Sequence, residues 1–486
     1  MTPIRPALAL ATALLAPAIL FLGTPRAMAQ TLSEAMAQAY ASNPSLLAAR
    51  ANLRAVDENV PQALAGWRPT VSVTASAGPL DGRARTLQTF PDPNGVPSIE
   101  NNFSPRNQRG VTTHIERQLF TSQVTVTQPI FRGGRTVANT RRAENQVLAQ
   151  RARLLTQEQQ VMSDTVNAFV NVILYQEIVR LRVNNEQVLT EQLRATNERF
   201  RVGEITRTDV AQAESRLANA RSLRSQAEGQ LQITRATYLR VVGTTPSQLV
   251  APQPLRPPVV NAQEAGLAAA TNNPAVVAAL FDEAAARDAI DVQMSQLYPQ
   301  VSVQGQAFRS DNSTGNHTRI TGAQVLGQVT MPLYQGGSEY SVIRQARQSA
   351  QQARQLVDDQ RRTVTQQAAQ AWEQLQSAKA QVEAQRAAIR ASEIALDGVQ
   401  REAIVGSRTT LEVLNQEQEL LGNRTDLVQA LATVVSQSYT LAGAVGRLTA
   451  QDLGLDVDPY DMRAYYNAVR NRWFGLGDYS NVAEKR

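Results

Sequence analysis

The 486-residue chain contains no cysteine. Disulfides, thiolate metal sites and a cysteine nucleophile are therefore excluded. Histidine is almost as scarce, with His114 and His317 alone, which excludes a histidine-rich zinc or iron centre. Lysine is confined to Lys379 and Lys485, so the formal charge of +6 rests on arginines, and these are scattered rather than clustered. With aromatics at 5% there is also little to stack on bases, and no nucleic acid is expected as a partner. The sequence offers no His–carboxylate cluster, nucleophile arrangement or cofactor loop, so neither catalysis nor a cofactor is expected. Gly-Gly-Arg after Phe131 lacks the Lys-Ser/Thr ending of a phosphate loop.

Long apolar runs are lacking too, apart from one at the N-terminus. There Arg5 precedes an apolar stretch from about residue 7 to 22, and Ala-Met-Ala stands before Gln30. That pattern predicts a secretory signal peptide, 1–29, cut after Ala29. No cysteine follows it, so lipid attachment at the mature N-terminus is not expected. Beyond residue 29 no run of 18 apolar residues occurs, and no helix is expected to span a bilayer.

What the sequence does contain is a repetition. Residues 124–135 read VTVTQPIFRGGR and residues 327–338 read GQVTMPLYQGGS. Asn43-Pro44 answers Asn273-Pro274, and Arg68-Pro69 answers Tyr298-Pro299, at an offset of 230. Pro129 answers Pro332, Gly203 answers Gly406, and Gly243 answers Gly446, at an offset of 203. The offset changes between Pro69 and Pro129, and a longer loop at 79–110 is expected to absorb it. Two structural repeats follow, 30–243 and 263–449, joined by a Pro-rich connector at 244–262 and followed by a tail, 450–486. The connector reads as too stiff and polar for core, and the tail as an equatorial wrap or a partly disordered end.

Each repeat unfolds in the same order. A helical stretch (33–66; 263–297) leads into two runs that alternate with period two (69–77 and 111–129; 299–308 and 318–332). The second run of each pair exceeds the roughly 9–11 residues of a tilted membrane strand. Pro129 with Gly133 and Gly134, and Pro332 with Gly336 and Gly337, then mark the exit from sheet. No Pro occurs between Arg135 and Arg201 or between Ser338 and Ile404, and Gly398 is the only glycine in these stretches. Each reads as one helix of roughly 100 Å. Turns at Gly203 and Gly406 send the chain back along shorter helices. Their seams are Val210, Ala213, Leu217, Ala220, Leu223, Ala227, Leu231 and Val413, Gln416, Leu420, Asn423, Leu427, Ala430, Val434; only the second keeps strict heptad spacing. Entering and returning helices together match one long helix, which predicts a rod with strands at one end and glycine turns at the other. Four strands cannot close a barrel and open edges cannot face lipid, so closure by other copies is expected; three copies supply twelve strands.

With these features the sequence resembles the TolC family of bacterial outer-membrane efflux proteins, over about residues 31–450. The duplicated layout, the two Pro-Gly-Gly phrases and the turns FRVGEITRTDVAQAES and AIVGSRTTLEVLNQEQELL carry the resemblance. It implies a mixed α/β membrane protein: a homotrimer with a twelve-stranded barrel in outer-membrane lipid, continuous with a long α-helical periplasmic tunnel. It also implies a periplasmic adaptor and an inner-membrane pump or secretion ATPase as partners, with cargo passing through unchanged. A periplasmic coiled-coil scaffold is the alternative, but it leaves four membrane-length strands without a role.

The resemblance directs attention to the glycine turns. In the family an Asp of the first turn pairs with an Arg of the second and holds the tunnel shut; Asp209 and Arg408 occupy those positions. Asp209 also suits a helix first turn without any gate. Some members place two Asp residues after that Arg; here they are Glu412 and Asn415, so one acidic ring is expected rather than two. A closing tyrosine of the family is replaced by Ala403. Arg207 and Thr208 are expected to tune the first turn or to cap its helix.

Overall fold

The computed structural model describes residues 30–89, 108–477 and 479; the expected signal peptide lies outside them. The described residues form α1 (Leu32–Ser42), α2 (Pro44–Asp57), α3 (Asn59–Leu64), β1 (Thr70–Thr89), β2 (Gln108–Arg132), α4 (Arg135–Arg201) and α5 (Arg207–Val242). The same order then recurs as α6 (Ala262–Asn272), α7 (Pro274–Met294), β3 (Gln300–Asp311), β4 (Arg319–Thr330), α8 (Ser338–Ile404) and α9 (Thr410–Ala444), and α10 (Ala464–Val469) closes the chain. No described helix is long and apolar enough to cross a membrane.

The entering stretches are not continuous helices, as the sequence had suggested, because each contains an Asn-Pro joint. Proline disfavours a helical conformation at the residue before it, and Asn43 is extended, with φ −67° and ψ 121°. The Asn43 side chain accepts from the Ser45 amide at 2.9 Å and donates to the Val241 carbonyl at 2.9 Å. Asn273 repeats both bonds, with Ala275 at 2.9 Å and Ala444 at 3.0 Å. One side chain thus starts an entering helix and satisfies a terminal carbonyl of the returning one, which fixes where the two meet.

α4 and α8 each run 67 residues. α4 lies at the centre, packed against α5, α7, α9 and α1–α3. α8 packs chiefly on α9, α7 and α6. Its buried residues Ile343, Ala350, Val357, Val364, Ala371 and Ala378 recur every seventh position, with Ala368 and Leu375 between them and Val382 four residues beyond the last. This is a single coiled-coil seam. The expected seam of α5 is buried except for half-buried Leu223. In α9, Gln416, Asn423 and Leu427 are half-buried, and Asn423 donates to Ser392 at 2.7 Å.

The strands form one antiparallel sheet in the order β1-β2-β3-β4. Alternation gives it two faces. Val71, Val73, Ala75, Val124, Val126, Val301, Val303, Val325 and Val329 share one side. Thr70, Ser72, Thr74, Gln123, Thr125, Gln306 and Gln324 share the other, where no described residue between the Thr70 and Ser76 levels is charged. On the polar side Gln324 donates to Gln306 at 2.6 Å and Gln306 to Gln123 at 2.7 Å. These glutamines share a hollow with Thr74 and Ser76.

Two boundaries differ from expectation. Residues 79–89, expected as loop, continue β1: Pro79 lies opposite Gln118 and pairing runs out to Thr89–Gln108. Pro79 is tolerated because β1 is an edge strand, where a missing amide need not break a ladder. Pro129 does not end β2 either; the register shifts between Pro129 and Phe131, and the strand continues to Arg132. β4 does end before Pro332.

The connector also contributes more than its composition suggested. Val259 is buried, Leu249 and Leu255 pack against the central core, and the Leu255 amide donates to Ser438 at 3.0 Å. The tail lies along the first repeat, where Leu453, Leu455, Val457, Tyr460 and Met462 cover the core. Arg50 sits between the Tyr40 and Tyr460 rings, 4.5 and 5.0 Å from their centroids. Tyr465 donates to Glu58 at 2.8 Å and Arg470 pairs with Glu144 at 2.9 Å.

Candidate functional site at the helical turns

Both long helices end in the same way. Gly203 and Gly406 adopt φ of +76° and +82°, which an L side chain resists. They reverse the chain into α5 and α9, and each returning helix opens with a capping box. Thr206 accepts from the Asp209 amide at 3.4 Å while the Asp209 carboxylate accepts from the Thr206 amide at 3.0 Å. Thr409 and Glu412 repeat this at 3.3 and 2.8 Å. The cap of α5 is therefore Thr206, not Thr208. A threonine followed three residues later by an acid is the sequence signature of this motif.

The charges around the two caps are exchanged. In the first turn Arg199 pairs with Glu204 at 2.7 Å. In the second, Arg408 bridges Glu402 at 2.8 Å and Glu412 at 2.7 Å. The hydroxyl of Thr206 first, and then its amide, hold the Asp209 carboxyl below its usual range, with Arg199 adding to the effect. Glu412 is lowered to about 2 by the Thr409 amide first, then Arg408 and the Thr409 hydroxyl. Both acids are therefore carboxylates across the ordinary pH range. Two carboxylates in turn raise the Arg408 guanidinium.

The structure brings Arg408 and Glu412 together, but within the chain Arg408 bonds to Glu402 and Glu412, and Asp209 to Thr206. Asn415 meets α5 instead, accepting from Arg216 at 2.8 Å, and Arg216 also donates to Gln418. Arg216 was not singled out from sequence; its place beside Asn415 depends on how the two hairpins pack. Leu189, Leu217, Ala220 and Leu414 form a small core just behind the turns. The outermost residues are apolar and open: Val202 is 78% exposed, Ile404 84% and Val405 78%.

A long helical hairpin pair below a two-faced sheet is the architecture of a known group of channels. The family profile described as "Outer membrane efflux protein" matches residues 35–244 and 267–447. The chain belongs to this family. Its relatives include the outer membrane efflux protein BepC of Brucella suis biovar 1, 34% identical over 468 residues, covering 95% of this chain and 96% of BepC. Outer membrane protein TolC of Escherichia coli K12 is 24% identical over 447 residues, with 87% and 84% covered. Among solved structures, the CmeC outer membrane channel of Campylobacter jejuni superposes with a TM-score of 0.72 at 14% identity, covering 90% of this chain and 89% of that one, and shares the fold. As a member of the efflux family this chain is an outer-membrane channel, with its helices on the periplasmic side. It is a conduit for efflux or secretion and not an enzyme.

Proposed function

We propose that three copies of the chain close a twelve-stranded barrel in outer-membrane lipid, continuous with a helical tunnel, and serve as the exit duct of a tripartite efflux pump or type I secretion system. The observation that carries this reading is the pair of free edges. Among the described residues β1 and β4 lack outer neighbours in the sheet, and an open edge is untenable in lipid. The helices support it. α7 lies between α4 and α8, whereas α2, its counterpart at the Asn-Pro joint, packs on α4 but not comparably on α8. In a ring, α2 of one protomer takes the place beside α8 of the next. The repeats 30–243 and 263–449 then act as six near-equivalent staves. The glycine pairs Gly133–Gly134 and Gly336–Gly337 mark the passage from barrel to tunnel, and signal peptide 1–29 is removed on export. Native mass measurement of the detergent-extracted protein tests the assembly: a trimer is expected, and a monomer soluble without detergent would overturn it.

At the tunnel end, three copies of Glu412 form the acidic entrance, with Asn415 set back towards α5. Asp209 of one protomer reaches Arg408 of its neighbour, whose guanidinium has donors beyond those given to Glu402 and Glu412. Thr208 lies beside this contact on the same turn. Such a link between exposed charges is weak, suited to a gate that opens. The exposed Val202, Ile404 and Val405 offer an apolar rim to a periplasmic adaptor and, through it, to an inner-membrane pump or secretion ATPase. Planar-bilayer recordings test the gate: Asp209→Ala/Arg408→Ala should enlarge the current and Glu412→Gln should weaken cation selectivity. Unchanged currents in both would remove these residues from the entrance.

A further inference from the structure

The β1–β2 hairpin outgrows the sheet that carries it. Pairing of β2 with β3 ends at Phe120–Asp311 and pairing of β3 with β4 at Asp311–Arg319. Beyond that level residues 78–89 and 108–119 pair only with each other. Twelve residues at about 3.3 Å each make an overhang of roughly 40 Å.

The two faces exchange character where the overhang begins. Inside the sheet, the side bearing Thr74 and Gln123 is polar and the side bearing Val73 and Val124 is apolar. In the overhang the first side carries Leu80, Gly82 and Ala84, with Ile115 and Leu119 across from them; the second carries Asp81, Arg83 and Arg85, with His114 and Glu116 across. His114 and Asp81 lie 3.4 Å apart on this charged side. Arg117 interrupts the apolar side near its base, but its guanidinium turns to the Ser313 carbonyl at 3.0 Å. Towards the far end Thr113, Thr86, Gln88 and Arg109 interrupt the first side and Leu87 the second. At the rim the apolar side is already prepared, since Phe308 lies over Gly322 and Ile320 is 41% exposed.

Among the described residues none covers the apolar side; Leu80 is 40% exposed, and Ala84, Ile115 and Leu119 are half-buried. A two-stranded ribbon with a partly exposed apolar face and two unpaired edges is marginal in water. Lipid does not fit as the cover. The bare face continues the polar side of the sheet, not the valine side, and it lies beyond the valine rows. From these placements we propose that the overhanging hairpins of three protomers pack on one another through their apolar sides, over the outer mouth of the channel. The proposal rests on the trimeric reading above. It supplies a second narrow zone, at the opposite end from the glycine turns, and leaves the charged side facing water and head groups.

The native absence of cysteine makes the test direct. Single-cysteine variants Ala84→Cys and Arg83→Cys differ by one residue and present opposite faces. In trimers verified by native mass, oxidation or a short bismaleimide should cross-link Ala84→Cys between protomers and leave Arg83→Cys uncross-linked. A membrane-impermeant maleimide should label Arg83→Cys readily and Ala84→Cys poorly. Ile115→Cys, on the same side of β2 as Ala84 is of β1, repeats the test should Ala84→Cys assemble badly. Intact trimers in which positions 83 and 84 label alike and neither cross-links would overturn the proposal. Absence of trimers would overturn the oligomeric reading first, and native mass distinguishes the two failures.

Discussion

α4 and α8 have the same length and the same place in their repeats, yet 23 residues of α4 are buried and only 11 of α8. α4 has apolar residues on several faces because neighbours surround it within the chain. α8 has one seam, and its remaining surface is rich in Arg, Gln and Ala. The strand pairs differ in a parallel way, with 20 and 25 residues in the first repeat against 12 and 12 in the second. A duplicated layout has thus been divided into a repeat that builds the centre of the protomer and one that forms its boundary. That division is expected where identical chains meet side by side: one flank of each repeat is satisfied at home, the other abroad.

The glycine pairs offer the largest effect with which to break this comparison. Gly133 adopts φ +60°, and a Cβ there would stand 2.5 Å from the Ser295 carbonyl and 2.8 Å from Tyr298. Gly336 has φ +67° with nothing within 4 Å. Gly133→Ala is expected to abolish trimer in membrane extracts. Gly336→Ala should lose only the left-handed strain of about 1–2 kcal/mol and retain most trimer. Equal yields would break the asymmetry between the repeats.

Core truncation comes next. Phe169 is fully buried in α4, whereas its counterpart Trp372 in α8 is half-buried. Phe169→Ala should destabilise by about 3–5 kcal/mol, read from denaturant unfolding in detergent. Trp372→Ala should cost less.

A smaller, pH-dependent difference separates residue 57 from its counterpart. Asp57 is 1% exposed with no hydrogen-bond partner for its carboxyl oxygens, while Arg287 lies on the surface and pairs with Glu283 at 2.6 Å. Burial pushes the Asp57 carboxyl up to about 7, opposed by Arg151 and assisted by Glu58. The folded state therefore holds a proton that the unfolded chain releases near pH 4. Stability falls as pH rises through the window from about 4 to 7 and then levels, at on the order of 1 kcal/mol per unit of separation. Asp57→Asn should remove this slope and stabilise the protein at neutral pH; a slope that survives the substitution would assign it to another group. Arg287→Gln should leave the slope unchanged.

The smallest effect belongs to the turns. Asp209 and Glu412 hold the same capping position in the two repeats, but among the described residues only Glu412 also bonds to an arginine of its own turn, Arg408. Reversal potentials should show cation preference holding until pH approaches about 2, the Glu412 value. The stabilisation tied to that lowered value is present above its ordinary range and fades as pH falls through about 2. Loss of preference already near pH 5 would point away from Glu412.

Much of this architecture is legible in the sequence, since helix ends follow glycine and proline and strand faces follow alternation. The long helices begin and end where the absence of Pro and the turn glycines place them. The overhang is not legible in the sequence because Gly78, Pro79 and Gly82 punctuate it like a loop, and only the pairing partner shows that an edge strand tolerates them. Leu249 and Leu255 looked like linker because their core is assembled from α4, α9 and the tail, far away in sequence. At the turns the two capping boxes are readable from Thr206–Asp209 and Thr409–Glu412. The Arg216–Asn415 bond is not, because it depends on how one hairpin rotates against another.

The glutamines of the sheet carry a consequence for traffic. A carboxamide gives and accepts a hydrogen bond and has no net charge, so in the proposed barrel Gln123, Gln306 and Gln324 would present passing solutes with a wall that can stand in for water without sorting by sign. Anions, cations and peptides would all cross this stretch over similarly shallow steps. On the proposed reading, such a lining would suit an outlet whose cargo has already been chosen upstream.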